Sequence, residues 1–291
     1  MRLFLSAGIL YNVHMFQKIA FIGLGLIGGS LARAAREKFP SVWISAKTAS
    51  SKTLAYAYDN GIIQGTPGSL AELVGDADLI ILATPIELIT AYVKQIYPLT
   101  KPGAIIIDTA STKQQIVTEL KKYSDKFIGC HPMFGSEKTG IANSSAALLH
   151  GTRVAFTPYK NTPRGKLLAV MQFFKRLGCR PCKLGAKEHD AAVASISHIP
   201  YFGAVALLQL ADDATKAALA STGFQSCTRV AESDPLWGVE VARSNRKEVL
   251  RHLKKLQREL SWIEQLIGRG DYKGLKEYLE FSRQIRRGIY R

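Results

Sequence analysis

Two groups of residues in this chain could do chemistry together. The first is Gly23-Leu-Gly25-Leu-Ile-Gly28, set directly after the apolar run Lys18 to Ile22 and directly before a helical pattern through Leu26, Ile27, Leu31, Ala34 and Ala35. In a strand–turn–helix setting, Gly23 permits the tight turn, Gly25 lets a pyrophosphate approach the backbone, and Gly28 lets helix and strand pack closely. The helix N-terminus, with the N–H groups of Leu26 and Ile27, then faces the phosphates. The second group is Asp108-Thr-Ala-Ser111-Thr-Lys113 and His131-Pro-Met-Phe-Gly135-Ser-Glu137, each preceded by an apolar run. In open parallel sheets, ligands bind at the carboxyl ends of the strands. Both clusters should therefore lie near a bound dinucleotide, as should Thr84 and Pro85 after another apolar run. Oxidising an alcohol requires a base for the hydroxyl proton while hydride leaves the carbon. A neutral imidazole at His131 suits that role, with Ser111 to orient it. The alternatives are a helix cap for Ser111 and a packed histidine for His131.

The elements that must position these residues follow from periodicity. Continuous apolar runs at 42–45, 78–83, 104–108 and 127–130 alternate with helical patterns at 51–60, 85–96 and 112–123. That alternation predicts a doubly wound, mostly parallel α/β sheet of the Rossmann type, with helices on both faces. Runs at 153–157 and 180–184 add final strands around a helix at 164–177. This domain is assigned to residues 1–186. Residues 1–14 are a possible extension ahead of Met15.

Beyond residue 186 the strand signal stops, and 187–291 is read as an all-helical domain. Ala-rich helices run to about Thr222, a polar loop covers 223–237, and a helix at 245–267 carries the stripe Leu253, Leu256, Leu260, Ile263 and Ile267. A last helix spans 272–289. Ala191 to Ala211 contains no Lys, Arg, Asp or Glu and is long enough to span a bilayer. Its His198, Pro200, Gly203 and Gln209 indicate instead a buried, kinked helix within a helical core.

The 291 residues carry a net charge of +16, from 39 Lys and Arg against 23 Asp and Glu. This suits a small anionic partner. The densest basic stretch, Arg243 to Arg258, reads as a solvated helix face, and no nucleic-acid motif accompanies it. Four cysteines are too few for a disulfide scaffold. Cys179 and Cys182 read as incidental thiols. No metal site, membrane partner or targeting signal is indicated, which leaves the cytoplasm as the expected compartment.

On these motifs the chain resembles the prephenate/arogenate dehydrogenase family. The family's Asp-x-x-Ser-x-Lys matches Asp108, Ser111 and Lys113, and its His-Pro-Met-x-Gly-x-Glu matches His131 to Glu137. Its Ser-His-x-Pro matches Ser197 to Pro200, and its Thr-Arg-(Ile/Val)-Ala-x-Ser-Asp-Pro matches Thr228 to Pro235. Together they span roughly residues 17 to 250. Phe134 stands where Ala is more usual, and the stretch before Trp237 is one residue shorter than in some members.

The resemblance implies oxidative decarboxylation of prephenate or arogenate in tyrosine biosynthesis. His131 would accept the proton of the ring hydroxyl, and Ser111 would bond both His131 and that hydroxyl. His198 and Arg229 would bind substrate, Arg229 through a carboxylate, with Lys113 a further substrate residue. Glu137 would help control access. The same fold serves other two-domain NADP enzymes, such as 3-hydroxyacid dehydrogenases and imine reductases, and a non-catalytic NADP sensor would keep the glycines but need not keep Ser111, His131 and Arg229 together.

Two further expectations concern the cofactor and assembly. NAD enzymes usually place Asp or Glu at the end of the second strand. Here Ile44 to Lys52 contains no acid and offers Ser45, Lys47 and Ser50, which points to NADP. The long stripe and the Ala-rich helices before it predict a homodimer through the C-terminal helices.

Overall fold

The computed structural model describes residues 16–135 and 138–290. Strands β1 (Lys18–Ile22), β2 (Trp43–Lys47), β3 (Leu79–Leu82), β4 (Ile105–Asp108), β5 (Phe127–Pro132), β6 (Arg153–Thr157) and β7 (Arg180–Lys183) form one sheet in the order β2-β1-β3-β4-β5-β6-β7. Every pairing is parallel except β5 with β6. Winding reverses between β1 and β3, so their carboxyl ends frame the crevice in which such sheets take ligands.

The central strands β3 and β4 are buried on both sides because both faces are covered. Ile19 and Phe21 pack in one core with α1 (Leu26–Lys38), α2 (Ser51–Asp59) and residues of the later helix Arg164–Arg176. Their neighbours Ala20 and Ile22 pack in a second core with α3 (Leu70–Val74), α4 (Ile86–Ile96) and α5 (Gln114–Glu119). The helix Arg164–Arg176 is α6.

Two boundaries differ from expectation. The helix expected at 112–123 is α5 followed by a separate 3-10 turn, Lys121–Tyr123. Strand β5 runs on through His131 and Pro132. Its first residues pair with β4, and Gly129 to Pro132 pair with the reversed β6. An antiparallel partner thus holds His131 inside the strand, opposite Ala155.

The second half is helical. α7 (Ala186–Val193) continues through a π turn, Ala194–His198, into α8 (Ile199–Leu208), making one rod from Ala186 to Leu208. α9 (Ala214–Leu219), α10 (Thr222–Thr228), α11 (Pro235–Ser244), α12 (Arg246–Gly268) and α13 (Tyr272–Ile289) follow. The polar loop expected at 223–237 is largely helix. Ser-Asp-Pro there is a helix start: Asp234 accepts from Leu236 N at 2.9 Å, and Pro235 takes the first helical position. The rod is not buried as expected, since Ile196 within it and Leu210 just beyond it are each 67% exposed. α13 buries none of its residues, although Leu279, Phe281, Ile285 and Ile289 are apolar.

Candidate active site

At the crevice, the three glycines have different reasons to be glycine. Gly23 has φ +93°, and a Cβ there would lie 2.3 Å from the Ala83 carbonyl oxygen. At Gly28 a Cβ would lie 2.4 Å from the Gly23 oxygen and 3.0 Å from Ala83 Cβ. Around Gly25 a Cβ would meet nothing within 4 Å. Packing therefore requires the first and third, while the second leaves open space for a ligand. α1 starts at Leu26 without a side-chain cap and without an acid in its first turn, which leaves its N-terminus suited to an anion. Thr84 and Pro85 follow β3 on the other side of the crevice, with Pro85 at the start of α4. This cradle fits a dinucleotide.

At the end of β2, the Lys47 carbonyl accepts from Gly23 N at 2.9 Å, and its Nζ donates to the Gly68 carbonyl at 2.9 Å. Ser50 caps α2, accepting from Thr53 N at 3.2 Å. Ser45 sits mid-strand against Gly65 in a hollow shared with Trp43 and Thr66, away from the carboxyl edge where a cofactor contact was expected.

β4 ends in Asp108, which is fully buried. Its carboxylate accepts from Cys130 N at 2.9 Å and Ala110 N at 3.1 Å, and it pairs with the equally buried Lys113 Nζ. Gly129 makes room for this arrangement: a Cβ there would lie 2.3 Å from Thr157 Oγ1 and 3.3 Å from Lys113 Cδ. Lys113 is thus committed to Asp108, and the pair clamps the loop that presents Ser111. The expected substrate contact at Lys113 is not what the structure shows. Nor does Ser111 bond His131; its hydroxyl accepts from Trp237 Nε1 at 3.2 Å.

His131 instead meets His189, with Nδ1 2.9 Å from His189 Nε2. His189 Nδ1 lies 2.8 Å from Asp190 Oδ1. Asp190 also accepts from Lys113 N at 2.7 Å and Gln114 N at 2.8 Å, capping α5, and its own carbonyl accepts from Asn245 Nδ2 at 2.8 Å. Burial pushes the His131 pKa well below its ordinary value, and His189, the Lys113 cation and His198 add to this. The imidazole is therefore neutral near pH 7. Sequence reasoning passed over His189 and Asp190, which stand outside every recognised motif.

His198 ends the π turn. On an uninterrupted α-helix, nine residues from His189 amount to about 900°, half a turn out of phase. A π turn absorbs about one extra residue, which swings His198 by roughly 100° back toward the side of His189. The His198 ring is fully buried, and neither nitrogen has a hydrogen-bond partner. Burial drives its pKa down to about 4. Trp237 stands edge-on to it, ring centres 5.8 Å apart, and so touches both His198 and Ser111. Gly238 lets α11 close on α8, since a Cβ there would lie 2.7 Å from the Tyr201 ring. Arg229 is solvent-exposed and opens the 3-10 turn Arg229–Glu232, which packs on α8. Glu137 lies outside the described residues. The structure therefore gathers Ser111, His131 and His198 between sheet and helices, with Trp237 and His189 as the links.

Residues 31–183 match the family description "Prephenate dehydrogenase, nucleotide-binding domain", and residues 185–281 match "Prephenate dehydrogenase, dimerization domain". The chain belongs to the prephenate dehydrogenase family. Within it, the chain is 32% identical over 286 residues to the prephenate dehydrogenase of Lactococcus lactis subsp. cremoris, covering 94% of this chain and 77% of that protein. It is 27% identical over 280 residues to the cyclohexadienyl dehydrogenase of Zymomonas mobilis, covering 94% and 96%. Among solved structures of the family, prephenate dehydrogenase from A. aeolicus, in complex with hydroxyphenyl propionate and NAD+, superposes with a TM-score of 0.87 at 26% identity, covering 94% of this chain and 98% of that one. Synechocystis arogenate dehydrogenase superposes at 0.80 with 29% identity, covering 92% and 98%.

Proposed function

We propose that this chain catalyses the oxidative decarboxylation of prephenate or arogenate in tyrosine biosynthesis, giving 4-hydroxyphenylpyruvate or tyrosine and CO2. The observation that carries the reading is His131: a neutral imidazole at the carboxyl end of the sheet, one nitrogen tied to His189 and the other left for substrate. The substrate is a cyclohexadienol with a ring carboxylate para to its hydroxyl. His131 Nε2 takes the hydroxyl proton as the carbon loses hydride, and Ser111, on the loop after the neighbouring strand β4, is assigned to hold the same hydroxyl. Loss of CO2 from the resulting ketone makes the ring aromatic, which supplies the driving force. The chain must orient the substrate and accept one proton. Arg229 offers a planar fork to a carboxylate. His198, with two unpartnered buried nitrogens, has donor and acceptor capacity that a polar ligand would satisfy. Lys113 acts indirectly, by holding the Ser111 loop, and Glu137 is assigned to control of access.

Gly23, Gly25, Leu26, Ile27, Gly28, Thr84 and Pro85 would hold the dinucleotide. It supplies the hydride acceptor when bound. NADP is favoured over NAD because residues 44–52 contain no carboxylate, while Lys47 and the α2 start at Ser50 stand at the end of β2. Equal kcat/KM with the two cofactors, or a preference for NAD, would sink this assignment. Lys47→Asp should erode the preference.

The division of labour is assigned at residue 186, with the substrate and dimer surfaces in residues 187–291. A homodimer through these helices explains why α13 and α9 bury nothing within one chain. Sedimentation at micromolar concentration showing a single-chain species would refute it. No nucleic acid or membrane partner is assigned, and the cytoplasm is the proposed compartment. The rod Ala186–Leu208 is long and apolar enough to cross a membrane, but its His189 and Asp190 are bonded to β5 and α5. The deciding experiment mixes the protein with NADP and either prephenate or arogenate and follows reduced-cofactor fluorescence. A flat trace with both substrates and both cofactors would overturn the activity.

A further inference from the structure

The hydrogen-bond chain behind His131 has a direction. Both Asp190 oxygens accept backbone N–H groups of Lys113 and Gln114, and an ionised carboxylate can only accept. The His189 nitrogen at 2.8 Å from Oδ1 must therefore carry its proton on Nδ1. A neutral His189 then has only a lone pair at Nε2. Since His131 Nδ1 lies 2.9 Å from that lone pair, it must be the donor. One proton per neutral ring leaves His131 Nε2 bare. The carboxylate and His189 are 2% and 1% exposed, so water does not compete for these bonds.

We propose that Asp190, acting through His189, fixes the tautomer of His131 and so makes its Nε2 the atom that accepts the substrate proton. Both are positioning residues, and the role rests on His131 being the base. When the hydroxyl proton transfers, the O–H bond breaks and an Nε2–H bond forms. The His131 Nδ1–H stays on His189, and the carboxylate charge one ring further on faces the new imidazolium. Asp190 does this while also capping α5, so the atom that orders the base is fixed to the helix following the Ser111 loop.

The test uses Asp190→Ala, Asp190→Asn and His189→Phe in the full chain. Asp190 Oδ1 accepts from both Lys113 N and His189 Nδ1, and Oδ2 only from Gln114 N, so the asparagine keeps its oxygen toward His189 and preserves the direction of the chain. The alanine removes the acceptor, so His189 can turn either a lone pair or an N–H toward His131. His189→Phe removes the acceptor of the His131 Nδ1–H itself, so both His131 tautomers again become available. Nitrogen-15 NMR of the imidazoles in the ligand-free protein should show His131 Nε2 unprotonated in the wild type and Asp190→Asn, and partly protonated in Asp190→Ala and His189→Phe. The kcat of the last two should fall by up to about 10²–10⁴, the range of general-base catalysis, with KM changed only severalfold. A purely structural role predicts that these variants lose melting temperature and cofactor affinity together, with the His131 nitrogens unchanged. A wild-type spectrum with Nε2 protonated, or an Asp190→Ala protein with wild-type tautomer and kcat, overturns the proposal. Because the spectrum needs no turnover, it still reports on the tautomer if neither substrate is oxidised.

Discussion

The fully buried His198 should make the fold sensitive to acid by a calculable amount. An imidazole ordinarily titrates near pH 6.5, whereas in the folded chain His198 titrates at about 4. Between these values the unfolded chain binds a proton that the folded chain refuses. Stability therefore rises with pH across this window and is lost as pH falls from about 6.5 to about 4. The gap of roughly 2.5 units corresponds to about 3 kcal/mol when complete, and to about 2.5 kcal/mol by pH 4.5. The assay is urea unfolding of the wild type and His198→Gln at about pH 7 and about pH 4.5, at one protein concentration. The glutamine adds a fixed packing and hydrogen-bonding cost, but it does not titrate. Only the change with pH is compared, so that cost cancels, as do the carboxylates and other histidines common to both proteins. The wild type should lose about 2–3 kcal/mol more than His198→Gln over this interval. Equal losses in the two proteins would show that the ring is solvated in the native state and refute the reasoning.

Three other outcomes follow from the site. His131→Asn should lower kcat by about 10²–10⁴ while cofactor binding persists. In the wild type the acid limb of kcat/KM should lie below pH 6.5, because burial, His189 and the Lys113 cation hold the imidazole neutral; the rate falls as pH drops through that limb, and the limb should be missing in the variant. Arg229→Ala should raise substrate KM far more than it lowers kcat, because a carboxylate contact exists in both ground and transition states; an unchanged KM would place the substrate carboxylate elsewhere. Lys113→Met should cost about 3–5 kcal/mol of stability by leaving Asp108 charged, buried and unpaired, read as a lowered urea midpoint, whereas a stable protein with only a raised KM would return Lys113 to the substrate.

What was legible in the sequence was whatever depends on local pattern. Alternating apolar strands and helices gave the doubly wound sheet, and the three glycines gave the crevice with different demands at each. Partnerships across long separations were not legible. Ser111 and Trp237 are 126 positions apart, and His131 and His189 are 58 apart, so no local spacing announces either bond. The Asp-x-x-Ser-x-Lys motif was read as chemistry throughout, but two of its three named residues form a buried clamp. The stretch Ala191 to Ala211 was read as a buried, kinked helix because it carries no Lys, Arg, Asp or Glu yet contains His198, Pro200, Gly203 and Gln209. Composition reports that a surface avoids water, and does not say whether the same chain or another covers it. The chain reversal at β6 lengthened β5, because an antiparallel neighbour can continue a strand past the point where its parallel neighbour stops.

The attachment of the rod to the sheet bears on how substrate gets in and out. His189, Asp190 and His198 ride on one continuous helix, and Asp190 is bonded to the first turn of α5 at its two oxygens. A hinge that swung the helical half away would strip a buried carboxylate of both backbone donors and separate the two histidines in the same movement. Hydrogen bonds to a charged group contribute about 1.5–3 kcal/mol each, so such an opening would begin several kcal/mol uphill. The pair of halves thus behaves as a welded joint rather than a jaw. Access to the site would then fall to local shifts of surface segments, which leave the His131–His189 geometry in place.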